Sequence, residues 1–385
     1  MSEIERMKEK TKERGTMDSY ETAVNQRKEF SDRQMKGKIV VRAADREWEL
    51  SRQGLIKFYL LHGLYKDNVL QDWDVFVHNI KKSSGRHRHQ GGIVLYVIEG
   101  KGATEVDGEV IEWEAGDLVL LPVKAGGVEH KHFNSDPNKE CRWIAFIYNP
   151  LFDHVASELT QIEVSQKFLG EFGSRDDFVL DKIKNKSGSK FFEERYKGMG
   201  EPAAEIDKGK LSFNSRKEKL MSVNFYNETI KLRDQQRLQM KNALWLIKGK
   251  DLPWENNLHG IMRWYLHHAI DDTVVKTLNF YVQEIPKNSR SGKLRYQGNA
   301  VIFIIQGKGY TVIDGVKYEW EADDVIQLPL RRDGVIFQHV NSGDIPVRLA
   351  FCEPNLMHAT MVDRACGFDQ IEISPDFDKD YIPGD

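Results

Sequence analysis

Three histidines carry the chemistry open to this sequence. His87 and His89 stand two apart in Arg86-His87-Arg88-His89, ahead of Gly91-Gly92 and the apolar run Ile93 to Ile98. Side chains two apart on a strand point the same way, so both imidazoles can reach one ion. His130 lies 41 positions after His89, on what reads as another strand, and can complete a three-nitrogen face. Imidazole suits Zn, Fe, Cu or Ni, and three ligands on one side leave positions open for substrate. An isolated His-x-His is weak. The same pair set among the turns Gly100-Lys101-Gly102, Asp107-Gly108, Gly116-Asp117 and Pro122, with a third histidine beyond, is a much stronger pattern.

The chain supplies its own control, because the pattern returns. Ile98-Glu99-Gly100-Lys101-Gly102 recurs as Ile305-Gln306-Gly307-Lys308-Gly309, and Glu112-Trp113-Glu114-Ala115 as Glu319-Trp320-Glu321-Ala322. Asp107-Gly108 recurs as Asp314-Gly315 and Leu121-Pro122 as Leu328-Pro329, all at an offset of 207. A repeat of this length marks a tandem duplication of one folded unit. At the same offset His87 becomes Leu294, His89 becomes Tyr296 and His130 becomes Phe337. Histidines that only packed a core would have little reason to differ as a set, so the three are expected to form one metal site, confined to the first half. His132, Asn134 and Gln90 keep their counterparts His339, Asn341 and Gln297, which favours a scaffold role for them.

The elements that must position these side chains are short strands. Ile39 to Val41, Ile56 to Leu60, Trp73 to Val77 and Trp143 to Tyr148 are β-rich, and the third alternates as a half-buried strand does. Ser19 to Met35 is expected to be an exposed helix, with helical patterns again around Val155 to Phe168 and Tyr226 to Gln239. Lys184 to Ser189 and Gly198 to Gly200 are expected to be loops. The expected organisation is an N-terminal helical segment over 1–36, a metal-binding barrel over 37–150, a helical connector over 151–240, a second barrel without a metal site over 241–356 and a tail over 357–385.

Composition bounds the rest. The chain has 385 residues, 40% of them hydrophobic, with 8 Trp, 19 Phe and 13 Tyr, which is ample for two packed cores. A formal charge of −3 gives no electrostatic case for nucleic acid. No apolar run reaches the length of a membrane span, and the charged start Glu3-Ile4-Glu5-Arg6 does not read as a signal peptide. Three scattered cysteines suit a reducing compartment, so a cytoplasmic protein without membrane or nucleic-acid partners is expected.

Gly85-x-His87-x-His89, followed by Gly116-Asp117, Pro122, His130 and Asn134, resembles the two signature motifs of the cupin superfamily. With the internal repeat, the resemblance is to a bicupin: a mainly β chain of two tandem double-stranded β-helix (jelly-roll) barrels with a helical N-terminal segment and a helical connector. Cupins commonly add a glutamate four or five residues after the second histidine; Ile93 and Val94 stand there, which implies a three-histidine site.

The string from His87 to Gly100, with His130-Lys131-His132-Phe133-Asn134, is most similar to gentisate 1,2-dioxygenases and their relatives. That resemblance implies Fe(II) held by His87, His89 and His130, an aromatic substrate opened with O₂, and a homo-oligomer. Relatives that take gentisate or salicylate commonly carry an arginine six residues after the second histidine. Here Leu95 occupies that position, and leucine offers no cation to a carboxylate. A less acidic ring (a hydroquinone, an aminophenol or a substituted catechol) is therefore expected, unless Arg52, Arg86 or Arg142 supplies the charge. Ile93 and Leu95 are expected to pack the substrate's faces, with Gln90, Arg52, Arg142 and His132 as further candidates for substrate contact. Other three-histidine cupins oxidise thiols or act as isomerases or lyases, and some duplicated cupins only bind small molecules; metal analysis and activity separate these.

Overall fold

The computed structural model describes residues 2–13, 19–136, 138–168, 213–360 and 368–384. The loops expected around Lys184 and Gly198 lie outside them. Helices α1 (Glu3–Glu13) and α2 (Ser19–Lys36) come first. The first set of strands is β1 (Val40–Val41), β2 (Glu49–Ser51), β3 (Gly54–Leu60), β4 (Trp73–Asn79), β5 (Arg86–His89) and β6 (Ile93–Glu99). It continues with β7 (Lys101–Val106), β8 (Glu109–Glu114), β9 (Leu118–Leu121), β10 (Val128–Asn134) and β11 (Arg142–Tyr148). Helix α3 (Asn149–His154) and β12 (Thr160–Glu163) close this half.

Helices α4 (Phe213–Ser222) and α5 (Phe225–Asn242) lead into a second set in the same order. These strands are β13 (Leu246–Ile247), β14 (Glu255–Asn257), β15 (Gly260–Leu266), β16 (Leu278–Ile285), β17 (Lys293–Tyr296) and β18 (Ala300–Gln306). Then come β19 (Lys308–Ile313), β20 (Val316–Glu321), β21 (Val325–Leu328), β22 (Val335–Asn341), β23 (Val347–Pro354), helix α6 (Met357–Thr360) and β24 (Phe368–Glu372).

Each half pairs a seven-stranded sheet with a five-stranded one, all antiparallel. The smaller sheets run β12-β5-β10-β7-β8 and β24-β17-β22-β19-β20, the same order at matching places. The larger ones run β13-β9-β6-β11-β4-β3-β2 and β1-β21-β18-β23-β16-β15-β14. The fold is thus a duplicated, mainly β barrel, as the internal repeat implies. Tight turns repeat too: Asp107 (φ 49°) and Gly108 (φ 81°), then Asp314 (φ 47°) and Gly315 (φ 85°), adopt the left-handed pair that closes a two-residue hairpin.

The first strand of each half leaves its own sheet. Val40 and Val41 pair with Ile326 and Val325, while Leu246 and Ile247 pair with Val119 and Leu118. The exchange is pinned by matching carboxylates. Asp117 accepts from Lys248 Nζ (2.7 Å) and the Gly249 amide (3.1 Å); Asp324 accepts from Arg42 Nη1 (2.8 Å) and the Ala43 amide (2.8 Å). Gln34, the buried residue of α2, donates to the Val69 carbonyl and accepts from the Leu330 amide, tying the helix to both halves.

Strand β6 shows how the sequence alternation is used. Ile93, Leu95 and Val97 belong to an apolar cluster inside the first barrel, with Val119, Trp143 and Ile147. Val94 and Tyr96 point the other way, into a cluster that continues through Tyr265 and Phe280 to the interior of the second half.

Two expectations are corrected. The pattern from Val155 to Phe168 does not continue as a helix: α3 ends at His154, and Thr160 to Glu163 forms β12 on the edge of β5. An edge strand offers unpaired amides and carbonyls, and a Thr-Gln-Ile-Glu stretch suits that partner better than an isolated turn of helix. Likewise β24, in the expected tail, pairs with β17. Both five-stranded sheets therefore draw an edge strand from sequence beyond the expected barrel.

Candidate metal centre

Strands β5 and β10 lie antiparallel with His87 opposite His130 and His89 opposite Val128. On such a pair opposite residues share a face. His87, His89 and His130 accordingly turn inward, while Arg88 and Glu129 pair on the outside at 2.8 Å. The three ring centroids lie 4.2–4.9 Å apart, and one ligating nitrogen from each falls within 4.8 Å of the others.

Protonation is fixed by what each ring touches. His89 Nδ1 meets the Gln90 carbonyl at 2.5 Å and His130 Nδ1 meets the Val128 carbonyl at 3.1 Å. A carbonyl can only accept, so both Nδ1 atoms carry the proton and both Nε2 lone pairs are free. Burial pushes all three imidazoles below their ordinary pKa, His87 and His130 far below, and the neighbouring histidines push those two further. Neutral imidazole is the form that binds metal. His87 Nδ1 is buried and has no hydrogen-bond partner among the described residues. The donor set fits a divalent transition metal.

The remaining candidates fall into two groups. Ile93 and Leu95 line the interior cluster, on the barrel side of β6. Gln90 is occupied elsewhere: its amide donates to the Lys124 carbonyl (2.6 Å) and accepts from the Lys124 amide (2.9 Å), clamping a turn. His132 is buried next to His130 (ring centroids 5.3 Å), with its Nδ1 2.8 Å from Thr104 Oγ1, which accepts from Trp113 Nε1. Trp320, Thr311 and His339 repeat this relay in the second half, at 2.9 and 2.7 Å.

Arg142 bonds Glu99 (3.0 Å) and reaches across to Asp323 (3.3 Å), and Arg86 is clasped by Glu105, Glu129 and Glu163. Arg52 is exposed at the β2–β3 turn.

Two neighbours escaped the sequence reading. Phe152, on α3, packs edge-on to His89 with centroids 5.6 Å apart. Pro150 at the first turn of that helix was the available signal, since proline favours a helix start as well as a strand stop. His78 is buried against Trp143 (5.0 Å), and burial takes its pKa to about 3. Its place in strand register is taken by Gln283 in the second half, so it too belongs to the first barrel alone.

In the second half Leu294 opposes Phe337 as His87 opposes His130. Leu294, Tyr296 and Phe337 are all buried.

Comparison with known proteins agrees with this architecture. The family model described as "Cupin domain" matches residues 76–147, which contain the whole triad. Gentisate 1,2 dioxygenase 1 of Aquipseudomonas alcaligenes is 24% identical over 247 residues, covering 63% of this chain but only 59% of that protein. A variant of the salicylate 1,2-dioxygenase of Pseudoaminobacter salicylatoxidans, solved in complex with gentisate, superposes with a TM-score of 0.52 at 14% identity, covering 94% of each chain. Vicilin of Corylus avellana gives 0.51 at 13% identity, covering 87% of this chain and 88% of its own. An oxalate decarboxylase of Bacillus subtilis gives 0.52 at 11%, covering 85% and 82%. Likeness at such identities speaks for the fold alone. The chain has the fold of a bicupin, and residues 76–147 match the cupin domain. Within that class it resembles the gentisate 1,2-dioxygenases.

Proposed function

We propose that this protein is an Fe(II)-dependent dioxygenase that opens the ring of a dihydroxylated or aminohydroxylated aromatic compound with O₂. The observation that carries the reading is the trio His87, His89 and His130: neutral, inward-facing, and replaced as a set in the second barrel of the same chain. A fold shared with a vicilin and an oxalate decarboxylase selects no reaction, so the weight rests on the site and on the gentisate 1,2-dioxygenase resemblance.

Iron held by these imidazoles would supply the redox exchange between ring and O₂, together with a positive charge that favours an ionised phenol. The protein's own residues do the rest. The carbonyls of Gln90 and Val128 hold two imidazoles in the tautomer that turns Nε2 inward. Phe152 stands edge-on to His89 and packs against the apolar cluster that holds Ile93 and Leu95; together they would keep bulk water out and offer apolar surface to a flat ring. Leu95 brings no cation, and the guanidiniums of Arg86 and Arg142 are committed to carboxylates. A substrate without a ring carboxylate suits such surroundings better than gentisate does.

Protein reconstituted anaerobically with Fe(II) should bind one iron and consume O₂ with a hydroquinone, aminophenol or catechol from a panel. His130→Ala should lose both the iron and the uptake. Silence across the panel would sink the oxygenase reading, and undiminished iron in His130→Ala would sink the ligand assignment.

Assembly belongs to the same reading. Leu220, Met221, Tyr226, Leu232 and Leu238 on α4 and α5 are exposed apolar side chains that a second copy of the chain would cover. Light scattering should give a multiple of the chain mass, and Leu232→Glu should lower it; a monomeric mass for the unaltered protein would refute this.

A further inference from the structure

Where the first barrel carries its histidines, the second encloses space. Leu294, Tyr296 and Phe337 wall a cavity of about 440 Å³. Its sides are aromatic: Tyr281 stacks on Phe351 at 4.6 Å and 12°, Trp264 lies 4.8 Å from Tyr281, and Tyr296 stands edge-on to Phe337 and Phe351. Leu258 and Phe368, both exposed, stand at its rim. Interiors are ordinarily close-packed, and a concavity of this size with an apolar lining and a few convergent polar groups is the usual form of a small-molecule site.

The polar groups are specific to this half. Phe351 sits between Tyr281 and Ile302 as Ala145 sits between Phe76 and Leu95. Two residues further on, Glu353 faces Asn279 where the first barrel has Ile147 facing Asp74. A carboxyl thus replaces an interior isoleucine. Glu353 and Asn279 are buried and joined at 2.9 Å, which leaves Asn279 Oδ1 without a partner. His259, also buried, lines the same cavity with neither ring nitrogen hydrogen-bonded. Unmet hydrogen-bonding groups in a buried site are costly until something pairs with them. Among the described residues that line the cavity none is lysine or arginine; the basic side chains there are the imidazoles of His259, His267 and His268, and burial holds His259 neutral, so a carboxylate would find no permanent counter-charge.

We propose that the second barrel is a binding site for a flat, uncharged aromatic molecule bearing a hydroxyl group, its rings held among Tyr281, Tyr296, Phe337 and Phe351 and its hydroxyl paired with Asn279 and Glu353. The site is separate from the histidine cluster and does not depend on iron or on any activity there.

The full-length protein can be titrated calorimetrically with 2-naphthol and with 2-naphthoate, a pair of similar shape of which the first is neutral and the second an anion near pH 7. One equivalent of 2-naphthol should bind, equally well in a His87→Ala background, and 2-naphthoate should bind at least about tenfold more weakly. Leu294→Trp, which fills the cavity, should weaken 2-naphthol by about tenfold or more, and Glu353→Gln should narrow the preference for naphthol over naphthoate. Glu353→Gln is nearly isosteric, so it carries the test if the tryptophan variant fails to fold. No binding of 2-naphthol, its loss in His87→Ala, or indifference to both substitutions in the second barrel would each overturn the proposal.

Discussion

His89 and Tyr296 occupy equivalent places on β5 and β17 and both are buried, and burial pushes the His89 imidazole below its ordinary pKa. An imidazole withdrawn from water gives up its proton and becomes a ligand; a tyrosine withdrawn from water keeps its proton and becomes a wall. The same withdrawal holds other histidines neutral: burial takes His78 and His339 to about 3 and His259 to about 4. Unfolded, each would titrate near 6.5, so below that pH the unfolded chain binds protons the native one refuses. The stability these groups contribute is complete above pH 6.5 and drains away as pH falls toward their native values. Glu353 works against this, since burial raises its carboxyl to about 7 and the native state gains a proton between pH 7 and 4.5. Glu353 roughly cancels one histidine, and the loss below pH 6 is the sum over the rest, to which the buried His87, His89, His130 and His132 add in the metal-free protein. Calorimetric melting of the metal-free protein should be nearly level from pH 8 to 7 and fall steeply from 6.5 to 5. A level profile down to pH 5 would contradict the neutral assignments.

At the scale of elements, the exchanged strands depend on two buried carboxylates. Asp117 takes Lys248 Nζ and two backbone amides, those of Glu114 and Gly249. Asp324 repeats this with Arg42, Glu321 and Ala43. Removing one member of a buried pair strands the other, at about 3–5 kcal/mol. Arg42 is 39% exposed and can turn to water, whereas Lys248 is 13% exposed and cannot do so as readily. Asp117→Ala should therefore cost more in urea denaturation than Asp324→Ala; equal or reversed losses would show that the cations contribute little. The repeat Glu114-Ala115-Gly116-Asp117 and Glu321-Ala322-Asp323-Asp324 was visible in the sequence, but its partner was not. An apolar run such as Ile39-Val40-Val41 pairs equally well at home or across the molecule, and nothing in its pattern says which. Strand β6 was legible because a short unbroken apolar run bounded by Gly91-Gly92 and Gly100 suits a strand buried on both faces. The histidine cluster was legible because parity and the internal repeat both point to the same three residues. The aromatic cavity was not, because a void is set by how side chains pack in space.

For the whole molecule these contacts imply that the two barrels fold as one unit. Ile39 and Val41 lie in the apolar cluster that reaches the second barrel, and so do Val94, Tyr96, Leu118 and Leu120. Each such side chain contributes about 1.5–3 kcal/mol when buried, so six together amount to roughly 10 kcal/mol. That is comparable with the whole stability of an ordinary domain, about 5–15 kcal/mol. A chain cut to residues 1–168 would expose much of this face and lose β13 from its sheet; the leftover stability is close to zero. Such a fragment should aggregate, or melt without a cooperative transition. The intact chain should show a single calorimetric transition whose calorimetric and van't Hoff enthalpies agree. Two resolved transitions, or a fragment that melts sharply by itself, would mean that the shared cluster and exchanged strands couple the halves only weakly. Otherwise damage in the second barrel should lower the temperature at which the first loses its histidine cluster. Phe280→Ala, far from that cluster in sequence and buried in the shared core, should release bound metal at a lower temperature than in the unaltered chain.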